Sequence, residues 1–260
     1  ATPIHLYNLI EATAGAYATD LGSGALSIAG QGAYWPVAGG PDGIRYSGVH
    51  LEGTNSYLSC SDTGLPAALT ARTFGAWFRA NAGWPAASMV IMAYGSATAG
   101  QNIRMYIKTD GNIAASDGTT EFCASTMFDL ADGRWHHAVL VVNPSPADGL
   151  KSKIYVDGRC VAASTTQNAS TTLAGANMYR LGRSTEATGL FFKGVLARAF
   201  IASTAYTREQ IHKVYTKAAQ DLGSSPKNAG DHVDRVDATN IHFIGAGLSA
   251  ADQVVLDAAA

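Results

Sequence analysis

Charged side chains are scarce in this chain. Asp, Glu, Lys and Arg make up 15% of its 260 residues, well below the usual quarter. The formal charge of −2 leaves no basic footprint, so nucleic acid is not an expected partner. Long apolar runs are also lacking. Nothing approaches the ~20 residues a helix needs to span a bilayer, and no membrane contact is expected. Cysteine is limited to Cys60, Cys123 and Cys160, an odd number with no C-x-x-C pair. The three read as small buried hydrophobes of a chain that folds in a reducing compartment, with a disulfide allowed but not required. Position 1 is not Met, and no charged-then-apolar leader follows it. The expectation is a processed product or a piece of something longer.

What is present is a succession of short apolar runs and turn residues. Residues 134–162 hold the clearest signal. After Trp135 and His136-His137 come Ala138, Val139, Leu140, Val141 and Val142 without a polar break. A strand that does not alternate should be covered on both faces. Lys153-Ile154-Tyr155-Val156 then leads into Asp157-Gly158 and Arg159-Cys160-Val161-Ala162. Asp-Gly between two apolar runs predicts a two-residue type I′ hairpin, because both central residues need positive φ.

The same reading predicts strands around residues 49–60, 74–79, 89–94, 103–108, 178–182 and 191–201. A single helix is expected from Thr207. Thr207 and Gln210 form a capping box, and Ile211, Val214, Tyr215 and Ala218 fall at helical spacing. Residues 223–226, GSSP, end it. Short strands with no earlier helix imply an all-β, two-sheet antiparallel sandwich or jelly roll. The expected division is a sandwich over residues 1–222, ending in a helix at about 207–221, and an extended assembly segment over 223–260.

Residues 51–58 (LEGTNSYL) and 74–78 (FGAWF) resemble the opening strands of concanavalin-A-like, laminin-G-like jelly rolls. There a G-x-x-x-Y-hydrophobic strand precedes a hydrophobic-x-x-W-hydrophobic strand. Residues 135–139 and 154–158 resemble the central strand and hairpin of that family, and residues 192–211 its closing strand and helix. The resemblance covers roughly residues 4–220. Family members often carry acidic residues on the closing strand, where this chain has Lys193, Leu196 and Ala197, which argues against a calcium role there. Low charge, Ala/Gly/Thr richness and the added C-terminal segment make the chain similar to such modules in bacteriophage tail and virion-surface proteins. The fold implied hosts lectins, glycanases, adhesion modules and virion parts alike.

The chemistry-bearing residues are few. Glutamates number five, at 11, 52, 121, 186 and 209, and none begins the E-x-D-x-x-E strand of the glycanases the chain resembles. No catalytic residue is expected. His136 and His137 are adjacent on a strand and point to opposite faces, so they cannot share a metal ion. Six Asp-Gly pairs read as turns and not as calcium loops. No metal or other cofactor is expected, beyond room for a weak calcium site in a loop.

The glycan-binding candidates are the loop aromatics Trp84, Trp35 and Tyr34, with Asn81, Gln101, Asn102 and Asp117 as hydroxyl partners. An indole that merely plugs the sandwich edge is the alternative for each tryptophan. In the C-terminal segment Val233, Val236, Ile241, Phe243, Val254 and Leu256 are candidates for a subunit contact. The expected function is a non-enzymatic virion-surface or tail component, assembled in the host cytoplasm, that contacts host-surface polysaccharide. Its expected partners include other virion proteins and copies of itself, with a trimer implied by the resemblance. A decoration or assembly protein without sugar binding, and a glycan-cleaving enzyme of the same fold, stay open.

Overall fold

The computed structural model describes residues 3–7, 9, 22–23, 28–31, 48–83, 85–126, 129–168, 170–175, 178–186 and 189–221. Tyr34, Trp35, Trp84 and all six subunit-contact candidates lie outside them. The strands, in chain order, begin with β1 (His5–Tyr7), β2 (Ala29–Gln31), β3 (Val49–Glu52), β4 (Tyr57–Cys60) and β5 (Arg72–Ala80). Next come β6 (Met89–Gly95), β7 (Asn102–Ile107), β8 (Ile113–Ser116), β9 (Glu121–Ala124) and β10 (His136–Val142). The last are β11 (Ser152–Val156), β12 (Arg159–Ser164), β13 (Tyr179–Leu181) and β14 (Lys193–Ala202), followed by helix α1 (Arg208–Asp221). They form two antiparallel sheets of seven strands. One has the order β1-β14-β5-β10-β11-β12, with β3 also beside β14; the other runs β2-β4-β13-β6-β7-β8-β9.

The unbroken apolar run of β10 is explained by what lies on each side. Ala138, Leu140 and Val142 point into the core between the sheets. Val139 and Val141 point outward, where Tyr155, Phe200, Tyr206 and Ile211 cover them. Each fully buried side chain of this size contributes about 1.5–3 kcal/mol, so the helix is a third layer over the first sheet. Its start is the expected capping box: Gln210 N–H donates to Thr207 Oγ1 at 3.3 Å, and Thr207 N–H donates to Gln210 Oε1 at 2.9 Å. In the middle of β5 the approach of neighbouring chains demands glycine. A Cβ on Gly75 would lie 2.4 Å from the Ala138 carbonyl oxygen.

The hairpin turn is type I′ as expected, with φ of 49° at Asp157 and 79° at Gly158. Four other Asp-Gly pairs also form turns. In each, the carboxylate of Asp110, Asp117, Asp132 or Asp148 accepts the N–H two residues on. This is ordinary turn chemistry. Cys60 and Cys123 are buried, but Cys160 is exposed, contrary to expectation. It sits immediately after the turn on β12, the outermost strand of its sheet, so no neighbouring strand covers it.

Arg72 is fully buried. All five of its N–H groups reach neutral oxygens. Nε donates to Thr70 O at 2.9 Å, and Nη1 to Tyr94 Oη at 3.0 Å and Thr171 Oγ1 at 2.8 Å. Nη2 donates to Ala68 O at 2.6 Å and Ala67 O at 3.4 Å. Close by, the buried Asp62 carboxylate accepts Gly175 N–H at 2.7 Å and Ala174 N–H at 3.1 Å. These two charges bind the irregular segments 61–70 and 170–175 to the sandwich. Replacing Arg72 by Met should lower stability by about 3–5 kcal/mol in urea unfolding, because it strands several buried acceptors. Lysine should recover little, since one ammonium cannot span five acceptors. A loss below ~1 kcal/mol would contradict this role.

Candidate functional site

β5 ends at Ala80 and β6 begins at Met89. Asn81, Gly83 and Pro85 keep the intervening residues out of both ladders, for Pro lacks a donor and Gly83 adopts a φ of 102°. The loop is pinned where Asn81 N–H donates to Lys193 O at 3.1 Å and Gly83 N–H to Ala131 O at 2.8 Å. Beneath it opens a groove of about 450 Å³, within the range that holds small ligands. Its working surface is Asn81, Ser88, Leu190, Phe191 and Lys193, with Gly53 in the floor. A Cβ on Gly53 would come 2.7 Å from Lys193 Cβ, so the floor requires glycine. Asn81 and Lys193 are exposed, and the Arg183 guanidinium lies over the Phe191 ring at 5.2 Å from its centroid.

The groove thus combines an apolar wall with an amide, a hydroxyl and an ammonium, which suits hydroxyl-rich ligands. No Asp or Glu is among its described lining residues. Gly83 and Pro85, on either side of Trp84 in sequence, both belong to it. Sequence reasoning missed Gly53, Ser88, Leu190, Phe191 and Lys193. They arrive from three separated segments and share no motif.

The other polar candidates are elsewhere. Gln101, Asn102 and Asp117 sit at the far end of β6, about 20 Å from Asn81 at ~3.3 Å per strand residue. Asn102 is fully buried, and its amide nitrogen donates to Ser96 O at 3.3 Å, Thr98 O at 3.4 Å and Glu186 Oε1 at 3.2 Å. Asp117 is buried and caps Thr119 N–H at 3.0 Å and Thr120 N–H at 2.8 Å. Gln101 is exposed, while its carbonyl oxygen holds Ser96 and Thr172 N–H groups at 3.2 and 3.0 Å. These residues build turns at the Arg72 end, and the structure does not bring them to Asn81.

The sequence profile of the Concanavalin A-like lectin/glucanases superfamily, of laminin-G type, matches residues 52–212. The chain belongs to this family. No relative is found among the curated proteins. Among solved structures, this superfamily member is similar to Trypanosoma rangeli sialidase in complex with the inhibitor DANA. The identity there is 10% and the TM-score 0.58, over 86% of this chain and 34% of that one. It is similar to domain 4 of a GH43 extracellular arabinanase from Geobacillus stearothermophilus, in complex with arabinotriose. That match has 16% identity and a TM-score of 0.57, over 83% of this chain and 98% of the domain. The binding domain of botulinum neurotoxin serotype G matches with 9% identity and a TM-score of 0.59, over 84% of this chain and 51% of that one. The chain spans about a third of the sialidase chains it matches. The concanavalin A-like fold is shared by glycosidases and by binding domains without activity.

In this concanavalin A-like chain the adjacent histidines face opposite ways, as the strand period requires. His136 lies between two carboxylates, Nδ1 at 2.8 Å from Asp157 Oδ2 and Nε2 at 3.1 Å from Asp132 Oδ1. Burial opposes its charge, yet the hydrogen bonds and negative charges of Asp157 and Asp132 outweigh burial and hold its pKa above 6.5. His137 is buried among Trp77, Phe200 and Tyr215. Burial depresses it from 6.5 to about 4, with Arg198 adding to the effect. No group of three or more metal-ligating side chains occurs among the described residues.

The two should act on stability in opposite directions. As pH falls from about 6.5 towards 4, the unfolded chain takes up a proton that folded His137 refuses, so stability drops, by about 3 kcal/mol. As pH rises through the folded pKa of His136, the stability of its paired imidazolium is lost. Stability should therefore peak near pH 6.5. Denaturant unfolding against pH should show that His137→Phe flattens the acid limb and His136→Gln the alkaline one. Unaltered limbs in both variants would refute the assignment.

Proposed function

We propose that the chain is a non-catalytic glycan-contacting module, working on the surface or tail of a bacteriophage virion and recognising host-surface polysaccharide. The observation that carries the binding role is the groove beneath the loop 81–88. It pairs an apolar wall with an amide, a hydroxyl and an ammonium for which no hydrogen-bond partner is found among the described residues. Trp84 lies within that loop in sequence, and an indole is a stacking face of the kind sugars use. The absence of carboxylates from the described lining favours binding over hydrolysis, which needs two of them. A solved domain of this fold, spanned over 98% of its length, holds arabinotriose, which accords with the same use. The virion setting rests on composition and on the added segment 223–260. Self-association through that segment belongs to the proposal, and light scattering that finds the full chain monomeric would remove it.

The test is a glycan array on the full chain, followed by Trp84→Ala. The variant should lose most of the binding to any glycan found, with little change in melting temperature. No reducing sugar should be released from that glycan. A large fall in melting temperature would make the indole structural, since emptying a core tryptophan site costs ~3–5 kcal/mol. Turnover abolished by changing one Asp or Glu would replace binding with catalysis.

A further inference from the structure

A second opening lies on the outer face of the first sheet, where β10 and β11 meet the start of α1. Strand alternation builds its floor. Ile154 and Val156 of β11 point into the core, so Lys151, Lys153 and Tyr155 stand on the outer face, beside the outward Val141 of β10. A bond from Asn143 N–H to Lys151 O at 2.8 Å carries the ladder one pair past the strand ends. Tyr206, Thr207 and Arg208 form the opposite wall, so the helix begins at the rim of the pocket. Its volume is about 350 Å³.

Three cations, Lys151, Lys153 and Arg208, and one carboxylate, Asp148, belong to its described lining. Asp148 is already engaged: it pairs with Lys153 Nζ and accepts the Leu150 N–H at 3.0 Å. That leaves Lys151 and Arg208, whose side chains have no ion-pair or hydrogen-bond partner among the described residues. Glu209 borders a separate cleft beside β12, which Arg208 also borders. Arg208 stands in the first turn of α1, where a cation opposes the helix dipole, so helix stability does not account for it. The helix start adds two donors. Thr207 serves the N–H groups of Gln210 and Ile211, whereas those of Arg208 and Glu209 have no acceptor among the described residues. Tyr155 is an independent observation. It is only 5% exposed and lines the pocket, yet its hydroxyl has no hydrogen-bond partner among the described residues. A tyrosine so buried normally has one. Lys153, Arg208 and Asp148 are among the charges that act on this hydroxyl, which sets it at the charged side of the pocket. Burial raises its pKa above the usual 10.0, so it stays protonated and can donate.

We propose that this pocket is a second binding site, for a tetrahedral oxyanion, a sulfate or phosphate group. A helix N-terminus favours an anion through its orphan N–H groups and its dipole. The Arg208 guanidinium can take two oxygens, Lys151 adds a mobile ammonium, and Tyr155 donates from the floor. Donors converging from the helix, the strand and the floor suit three free oxygens better than the two of a carboxylate. The group is either a free ion or an ester on a sugar, and the experiment separates the two. The site stands independently of the groove beneath loop 81–88.

The backbone amides of Arg208 and Glu209 supply the readout, followed by NMR on the isotope-labelled full chain. Inorganic sulfate and inorganic phosphate are titrated at fixed pH, with sodium chloride at equal ionic strength as the control. Both amides should shift saturably with sulfate or phosphate and stay unmoved in chloride. Lys151→Gln combined with Arg208→Gln should weaken binding about tenfold or more at the parent melting temperature, because neither side chain holds an internal bond. Tyr155→Phe keeps the packed ring and should weaken binding about fivefold. Shifts that fail to saturate, that chloride reproduces, or that persist in the double variant overturn the site. Glucose 6-sulfate that binds more tightly than inorganic sulfate, with glucose itself inert, assigns the anion to a sugar ester. Inorganic sulfate that binds as tightly or more tightly assigns a free ion. Trp84→Ala should leave these titrations unaltered, so failure of either site is read separately.

Discussion

A charged group can sit without water only if it is surrounded by partners held in place, and Arg72 is the residue around which this sandwich arranges them. Its five donors fan out to the backbone of residues 67–70, to the Tyr94 hydroxyl and to Thr171. Tyr94 passes the connection on, donating to Pro66 O at 2.9 Å. Burial drives the Tyr94 hydroxyl up to about 12 despite the neighbouring guanidinium, so it stays protonated and can donate. The segments 61–70 and 170–175 have no strand ladder of their own among the described residues. Buried side-chain bonds stand in for a ladder, and the two sheets are locked together at that end.

The consequence is a molecule with two unlike ends. At the Arg72 end polar side chains are consumed internally: Asn102, Asp117 and Asp62 all serve neighbouring backbone. At the other end Asn81 and Gly83 are pinned by two backbone bonds, and the Asn81 side chain stays exposed. Rigidity at one end and open polar groups at the other is the division expected of a scaffold that presents a binding loop. The helix repeats this logic on the outer face. Ile211 and Tyr215 are spent on packing, and Arg208, Glu209 and Lys213 are left exposed.

Features set by local periodicity were legible in the sequence. Residues 138–142, the Asp157-Gly158 turn and the Thr207/Gln210 box each carry their signal within a few residues, and each forms as read. The candidate site was only half legible. Asn81 and the loop around Trp84 were found because Pro and Gly mark a loop. Gln101, Asn102 and Asp117 were grouped with them by nearness in sequence, which a strand undoes by carrying the chain across the whole sheet. Phe191 and Lys193 could not be found, because Lys193 reaches the groove through the pairing of β14 with β3 and Phe191 through its bridge to Arg183. Cys160 was misjudged because burial of a strand residue depends on whether its strand is inner or outermost, and that is a property of topology.

The central claim is that glycan binds in the groove under loop 81–88. Backbone amide shift mapping on the isotope-labelled full chain, titrated with the best array ligand, tests it most directly. The largest perturbations should fall at Gly53, Asn81, Ser88 and Lys193, with residues 96–101 and 117–120 unmoved. Perturbations concentrated at the Arg72 end, with the groove silent, would contradict it.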